Sequence, residues 1–154
     1  MGTDHIKIIT ENRKARHEYH IDEQIEAGMV LLGTEVKSLR TGRANLKDAY
    51  GRFKDGELYI YQMHISEYPF ATYDNHEPLR IRKLLLNRSE LKKLYGKLKE
   101  KGFTLVPLKV YFKNGKAKIT MALARGKRKY DKRDSIKERE IKREIDRAKK
   151  KNRD

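Results

Sequence analysis

This sequence has no cysteine, which excludes disulfides and thiolate-ligated zinc. It has no apolar stretch long enough to span a bilayer. The segment from Met1 to Arg16 is mostly polar and lacks the hydrophobic run of a secretory signal. A soluble, cytoplasmic protein is the expectation. Enzyme signatures are missing too: there is no Walker loop, no dinucleotide glycine fingerprint and no Gly-x-Ser-x-Gly elbow. His17 and His20 have the look of a metal pair, with Glu18 and Glu23 close by. On a strand, however, residues three apart point to opposite faces, and the same argument separates Glu23 from Glu26. No catalytic residue, no metal and no cofactor is expected.

What the sequence has in abundance is positive charge. Its 154 residues include 38 Lys or Arg against 22 Asp or Glu, a net of +16. Residues 125–154 hold fifteen of the basic residues against seven acidic ones, a net of +8, so a short terminal stretch carries half of the excess. Its only large aliphatic residues are Ile136, Ile141 and Ile145, too few to build a core. The apolar residues concentrate instead between Tyr19 and Ala124, enough for one modest core. Three parts follow: a flexible leader (1–16), a folded body (17–124) and a basic tail (125–154). Glu138 with Lys142 and Asp146 with Lys150 are helix-supporting pairs four apart. The stripe of Ile141, Ile145 and Ala148 is narrow, so the tail, helix-prone from about residue 132, is expected to fold on a polyanionic partner.

Within the body, apolar residues alternate from His17 to Leu31, with Glu23 as the one break, which predicts a long half-buried strand. A bend or bulge is expected near Gly28, as in a strand serving both halves of a small barrel. Gly33-Thr34 opens a short helix, with Thr34 as its cap and Gly42 as its stop; Val36 and Leu39 face inward, Lys37 and Arg40 outward. Ala49–Phe53 and Leu58–Ile65 read as strands joined through Lys54-Asp55-Gly56. Residues 66–78 hold two of the three prolines and read as a loop, followed by a strand over Leu79–Leu86. Leu91, Leu94, Tyr95 and Leu98 form one helical stripe, with Asn87 and Glu90 at capping-box spacing and Gly102 as the stop. Asn114-Gly115 joins two strands, Thr104–Phe112 and Lys116–Ala124, whose apolar residues alternate cleanly. The fold class is mainly β with short helices: five or six strands and two helices, which suits a small closed barrel of the oligonucleotide-binding type.

The basic residues fall into groups: Lys37, Arg40 and Arg43; Arg80, Arg82 and Lys83; and the run from Arg125 to Arg133 with Lys127. Such grouping on a highly basic chain points to nucleic acid. A membrane surface would call for an amphipathic helix with a broad apolar face, which is lacking. Tyr130 sits among charges with nothing apolar to pack on, so it is a candidate for stacking on a base. Taken alone, Glu26 reads either as a solvated strand carboxylate or as an acceptor for a base edge or ribose hydroxyl. Asn87 reads as a helix cap.

Several stretches also carry a resemblance: NRKARHEY at 12–19, EAG at 26–28, GTEVKSLR at 33–40, RKLLLN at 82–87, LYG at 94–96, GK at 126–127, DKR at 131–133 and IKERE at 136–140. In these the chain resembles the small protein B family, the tmRNA-binding (SsrA-binding) proteins of bacterial trans-translation. The resemblance implies a non-enzymatic factor that holds the tRNA-like part of tmRNA and enters the A site of stalled ribosomes. Its barrel would replace the anticodon arm that tmRNA lacks. Its tail would occupy the empty mRNA channel as a helix. Glu26, Leu85 and Asn87 match the family's RNA-contact positions, and Lys37, Arg40, Arg82, Lys83 and Lys127 join them as basic candidates. Tyr130, Asp131, Lys132 and Arg133 match the part of the tail that meets the decoding site. The implied partners are tmRNA, one protomer per molecule, and the ribosome, through its small-subunit rRNA decoding centre and mRNA channel. Elongation factor Tu carrying alanyl-tmRNA is an indirect partner. The alternative is a ribosomal or other structural RNA-binding protein with a basic extension.

Overall fold

The computed structural model describes residues 4–71, 74–100, 102–127, 141–145 and 147. Its elements run β1 (Ile6–Glu11), α1 (Arg13–Glu18), β2 (Tyr19–Met29), α2 (Gly33–Arg40), β3 (Ala44–Asn45) and β4 (Tyr50–Lys54). They continue with β5 (Glu57–Tyr61), β6 (His64–Ile65), β7 (Arg82–Leu85), α3 (Arg88–Leu98), β8 (Phe103–Lys113) and β9 (Lys116–Gly126). The turn chemistry explains both hairpins. Asp55 and Gly56 between β4 and β5, and Asn114 and Gly115 between β8 and β9, all take the positive φ that a tight two-residue hairpin turn requires.

Seven strands form one antiparallel sheet in the order β1-β8-β4-β5-β7-β2-β9, with β8 also paired to β9; β3 and β6 make a separate small ribbon. The pairings therefore lead from β8 through β4, β5, β7, β2 and β9 back to β8. The β4–β8 link is the narrowest, a single pair between Gly51 and Leu105. A Cβ on Gly51 would stand 2.9 Å from Met121 Cε and 3.0 Å from Leu105 Cβ, so a side chain here would push Met121 aside and crowd Leu105 at this seam. Inside lies the main core, built from Leu58, Ile60, Leu84, Leu105, Ile119, Met121 and Leu123 with Leu39 from α2 and Leu94 from α3.

Two bulges decide how the alternating strands are used. In β2 the register against β9 shifts between Ile21 and Glu23. In β8 it shifts between Pro107 and Lys109. Each bulge turns a regular stripe from one face of the sheet to the other. Val106 and Leu108 join Ala15, Ala122 and Ala124 in a second, smaller cluster under α1, with Tyr19 and Ile21 against it. Beyond the bulges, Ile25, Ala27, Met29, Val110 and Phe112 belong to the main core. The expected bulge near Gly28 thus lies earlier, while at Gly28 and Met29 the strand takes β7 as a further partner. Glu23, the break in the stripe, reaches Lys97 and Lys93 of α3.

Four further expectations are corrected. Residues 6–16 of the expected flexible leader are structured: β1 pairs with β8, and Asn12 caps α1 while its amide donates to the Pro107 carbonyl at 3.0 Å. His17 lies on α1 rather than on a strand. The first residue of the α2 cap is Leu32, whose N–H donates to Glu35 at 2.7 Å; the Thr34 hydroxyl instead pairs with His76. The strand expected over residues 79–86 is confined to Arg82–Leu85. In the tail, residues 141–145 are helical and exposed. No helix among the described residues is long and apolar enough to cross a membrane.

Candidate nucleic-acid interface

The outer face of the long strands gathers one set of the expected residues. Directly paired residues on neighbouring strands share a face. Leu85, Gly28, Lys118 and Tyr111 form one row across β7, β2, β9 and β8. Glu26, Thr120 and Lys109 form the next. Leu85 is 51% exposed, a large apolar side chain standing on a polar face. Asn87 follows it at the entrance of α3, exposed, with its N–H donating to Glu90 at 3.1 Å. Asn87 is thus the N-cap residue of α3, its N–H held by Glu90, while its own side chain makes no cap hydrogen bond and stays on the surface near Leu85.

Glu26 is held rather than free. The Tyr111 hydroxyl donates to one carboxylate oxygen, and Lys113 Nζ approaches the other at 3.4 Å. The Tyr111 hydrogen bond is the main reason the carboxyl sits below the ordinary 4.5; burial opposes this, and Lys113 and Lys118 add to it. Tyr111 itself is buried and its phenol is pushed up, first by burial and then by Glu26. Lys109 lies 5.3 Å from the centre of its ring. Glu26 keeps 39% of its side chain in solvent. The result is an ionised acceptor in a fixed position, flanked by ammonium groups and an exposed leucine. That combination can accept from a base edge or ribose hydroxyl while its neighbours face phosphates.

The remaining candidates are dispersed. Lys83 shares the outer face of β7 with Leu85 and forms a long ion pair with Glu57 at 3.8 Å. Lys37 and Arg40 are exposed on α2. Lys127 is half-buried where the tail leaves β9, its N–H donating to the Glu18 carbonyl at 2.8 Å. Tyr130, Asp131, Lys132 and Arg133 lie outside the described residues.

Arg82 is a correction. Its side chain is 0% exposed, so it cannot meet RNA. It points inward from β7, where Nε donates to Glu35, Nη1 to the Met63 carbonyl at 2.6 Å and Nη2 to the Pro78 carbonyl at 3.2 Å. Arg80 donates to the other oxygen of Glu35 at 2.6 Å and to the Val30 carbonyl at 3.1 Å. Burial would raise the Glu35 carboxyl, but Arg80, the Leu32 N–H and Arg82 together hold it below 4.5. This knot ties α2, β7 and the intervening loop, and so sets where Lys83, Leu85 and Asn87 emerge. Sequence reasoning missed Glu35, Tyr111, Lys113 and Lys118. Apart from the Leu32 N–H that Glu35 accepts three residues back, their partners lie far away in the chain, so little in the local pattern marks them. Among the described residues no group of three His, Asp or Glu is placed to hold a metal.

A family model described as "SmpB protein" matches residues 9–151 of the chain. An SsrA-binding protein of Desulfitobacterium hafniense is 55% identical over 147 residues, covering 96% of this chain and 94% of the relative. One from Symbiobacterium thermophilum is 59% identical over 144 residues, covering 93% and 91%. A solved structure described as "tmRNA-SmpB: a journey to the center of the bacterial ribosome" is 50% identical, with a TM-score of 0.67 over 82% of this chain and 93% of that one.

Proposed function

Because this chain belongs to the SmpB protein family, we propose that it binds the tRNA-like part of tmRNA and carries it to the A site of stalled ribosomes for trans-translation. The single observation that carries the reading is the family match over nearly the whole chain, to relatives named for binding SsrA. The outer face around Glu26, Leu85 and Asn87 supports it, because an ionised acceptor, an exposed apolar residue and an amide stand together among lysines.

The protein acts by binding, not by turnover, as a soluble cytoplasmic factor. The circuit of pairings through β8, β4, β5, β7, β2 and β9 is an oligonucleotide-binding type of barrel that takes the place of an anticodon arm. Glu26, Leu85 and Asn87 contact the RNA, with Lys83 and Lys127 contributing phosphate contacts. The basic tail, 125–154, leaves the barrel where β9 ends at Gly126. Tyr130 to Arg133 meet the decoding centre and the remainder runs as a helix in the vacant mRNA channel. One protomer serves each tmRNA, and elongation factor Tu is met only through the alanylated RNA. Sequencing the RNA that copurifies with the protein tests this directly. One dominant tRNA-like species is expected, released with the protein by a high-salt wash of ribosomes. A protein that stays on washed ribosomes with no such RNA would instead be a structural ribosomal component.

A further inference from the structure

Phe70 is the most exposed large apolar side chain among the described residues, at 79%. It lies in the loop between β6 and β7. Tyr68 meets it edge-on, with ring centres 5.6 Å apart and planes at 69°. Lys37 of α2 holds its ammonium 5.6 Å from the centre of the Tyr68 ring. Arg40 follows one turn later on the same helix face, also exposed. Glu67 is the one carboxylate within the segment from Ser66 to Ala71, against Lys37, Arg40 and Arg43 beside it.

Phe70 is exposed and Tyr68 half-buried, although the described parts of their loop are held in place. Ser66 donates its N–H to the Arg43 carbonyl at 3.0 Å and accepts from the Ser38 hydroxyl at 2.7 Å. Asn75 clamps Tyr68 at both backbone groups, accepting its N–H at 3.1 Å and donating to its carbonyl at 2.8 Å. His76 is buried and engaged at both ring nitrogens, by the Thr34 hydroxyl at 2.9 Å and the Ile65 carbonyl at 2.8 Å. The described parts of the loop are thus stapled to α2 at both ends, and the Tyr68 ring stands beside the Lys37 ammonium, with Arg40 one turn on along α2. No hydrogen bond or ion pair among the described residues connects this cluster to Glu26.

Rings that stack with any base, next to cations that meet phosphate, are the parts of a single-strand binding site. We propose that Tyr68 and Phe70, with Lys37 and Arg40, bind an unpaired nucleotide of RNA at a site separate from the Glu26 face. The proposal rests on the reading of the chain as an RNA-binding factor. The unpaired base comes either from the tRNA-like part of tmRNA or from the small ribosomal subunit, and the stacking chemistry is the same for both.

The test uses the full chain and a fluorescently labelled single-stranded oligouridine, followed by anisotropy. Phe70→Ala and Tyr68→Ala should each weaken binding about tenfold, the usual scale for losing one base stack. Phe70→Tyr should restore it and Phe70→Leu should not, which separates stacking from plain apolar contact. The same variants are then titrated with the tRNA-like fragment and with small subunits; the RNA whose affinity falls is the source of the base. Unchanged binding of all three RNAs by Phe70→Ala would overturn the site. So would a loss that appears only on anionic vesicles, which would mark a membrane contact. Glu26→Gln serves as the separate arm: it should weaken the tRNA-like fragment and spare the oligomer. If Glu26→Gln changes nothing, the reading of the Glu26 face fails, while the oligomer titration still decides the Phe70 site.

Discussion

Glu26 and Glu35 are both carboxylates held below their ordinary 4.5 by neighbouring donors, yet they do opposite things. Glu35 has no exposed side-chain surface, and its oxygens are used by Arg80, Arg82 and the Leu32 N–H. Nothing is left to offer a ligand. Glu26 is held from beneath by Tyr111 and from the side by Lys113, and keeps the rest of its surface for solvent. The same split separates adjacent basic residues on β7. Arg82 faces inward and organises backbone carbonyls, whereas Lys83 faces outward. Charge on this chain is therefore of two kinds, and burial decides which kind a residue is.

The comparison breaks most easily at Glu35. Glu35→Gln leaves the buried Arg82 uncompensated and should cost about 3–5 kcal/mol in urea denaturation; a loss within a few tenths of a kcal/mol would mean the knot is dispensable. Its pH signature is specific. A carboxyl lowered on folding contributes stability that is present above 4.5 and is lost as pH falls through 4.5 towards the folded value. The wild type should therefore lose stability in that acid window, and Glu35→Gln should lose less there.

Glu26→Gln should do the reverse. We expect about 1.5–3 kcal/mol less RNA affinity by binding isotherm, the scale of a hydrogen bond to a charged group, with little change in melting temperature. Equal losses in stability and binding would erase the distinction between the two carboxylates. Tyr111→Phe comes next. It should cost about 1 kcal/mol of stability and let the Glu26 carboxyl rise, since Tyr111 is the chief cause of its lowering; a side-chain NMR titration reads this. The smallest effect belongs to Lys83→Ala. Its exposed pair with Glu57 contributes less than about 1 kcal/mol. If Lys83 meets a phosphate, the logarithmic salt slope of RNA binding should shrink by about 0.9 or less.

The sequence carried the local features of the fold well. Asp55-Gly56 and Asn114-Gly115 announce their hairpins because few other residues tolerate their backbone angles. The stripe of α3 is visible because its partners repeat within one helix. The bulges were not readable. One extra residue in β2 and one in β8 leave the alternation intact in the sequence while dividing it between two cores in space. β1 reads as a leader because Ile6 and Ile8 stay exposed at an edge, so its stripe is faint. For the site, pattern alone could not rank Arg82 below Lys83, or Glu26 above Glu23. Glu26, Leu85 and Asn87 were singled out by resemblance, and the structure puts them on an exposed surface. Tyr111, which steadies Glu26, hides between Val110 and Phe112 as one more strand aromatic.

The seam at Gly51 sets an order of opening. β2, β9 and β8 are joined over long registers, but β4 meets β8 through one pair only. Amide hydrogens along the long strands should exchange only with global unfolding, while those flanking Gly51 should exchange through a cheaper local opening. During folding the β8–β9 hairpin, like β4–β5, has only a two-residue loop to close and can form early, and the seam latches after them. A protein meant to grip a large RNA thus has a rigid three-stranded spine beneath its binding face and its point of give at β4, on a different edge of that spine.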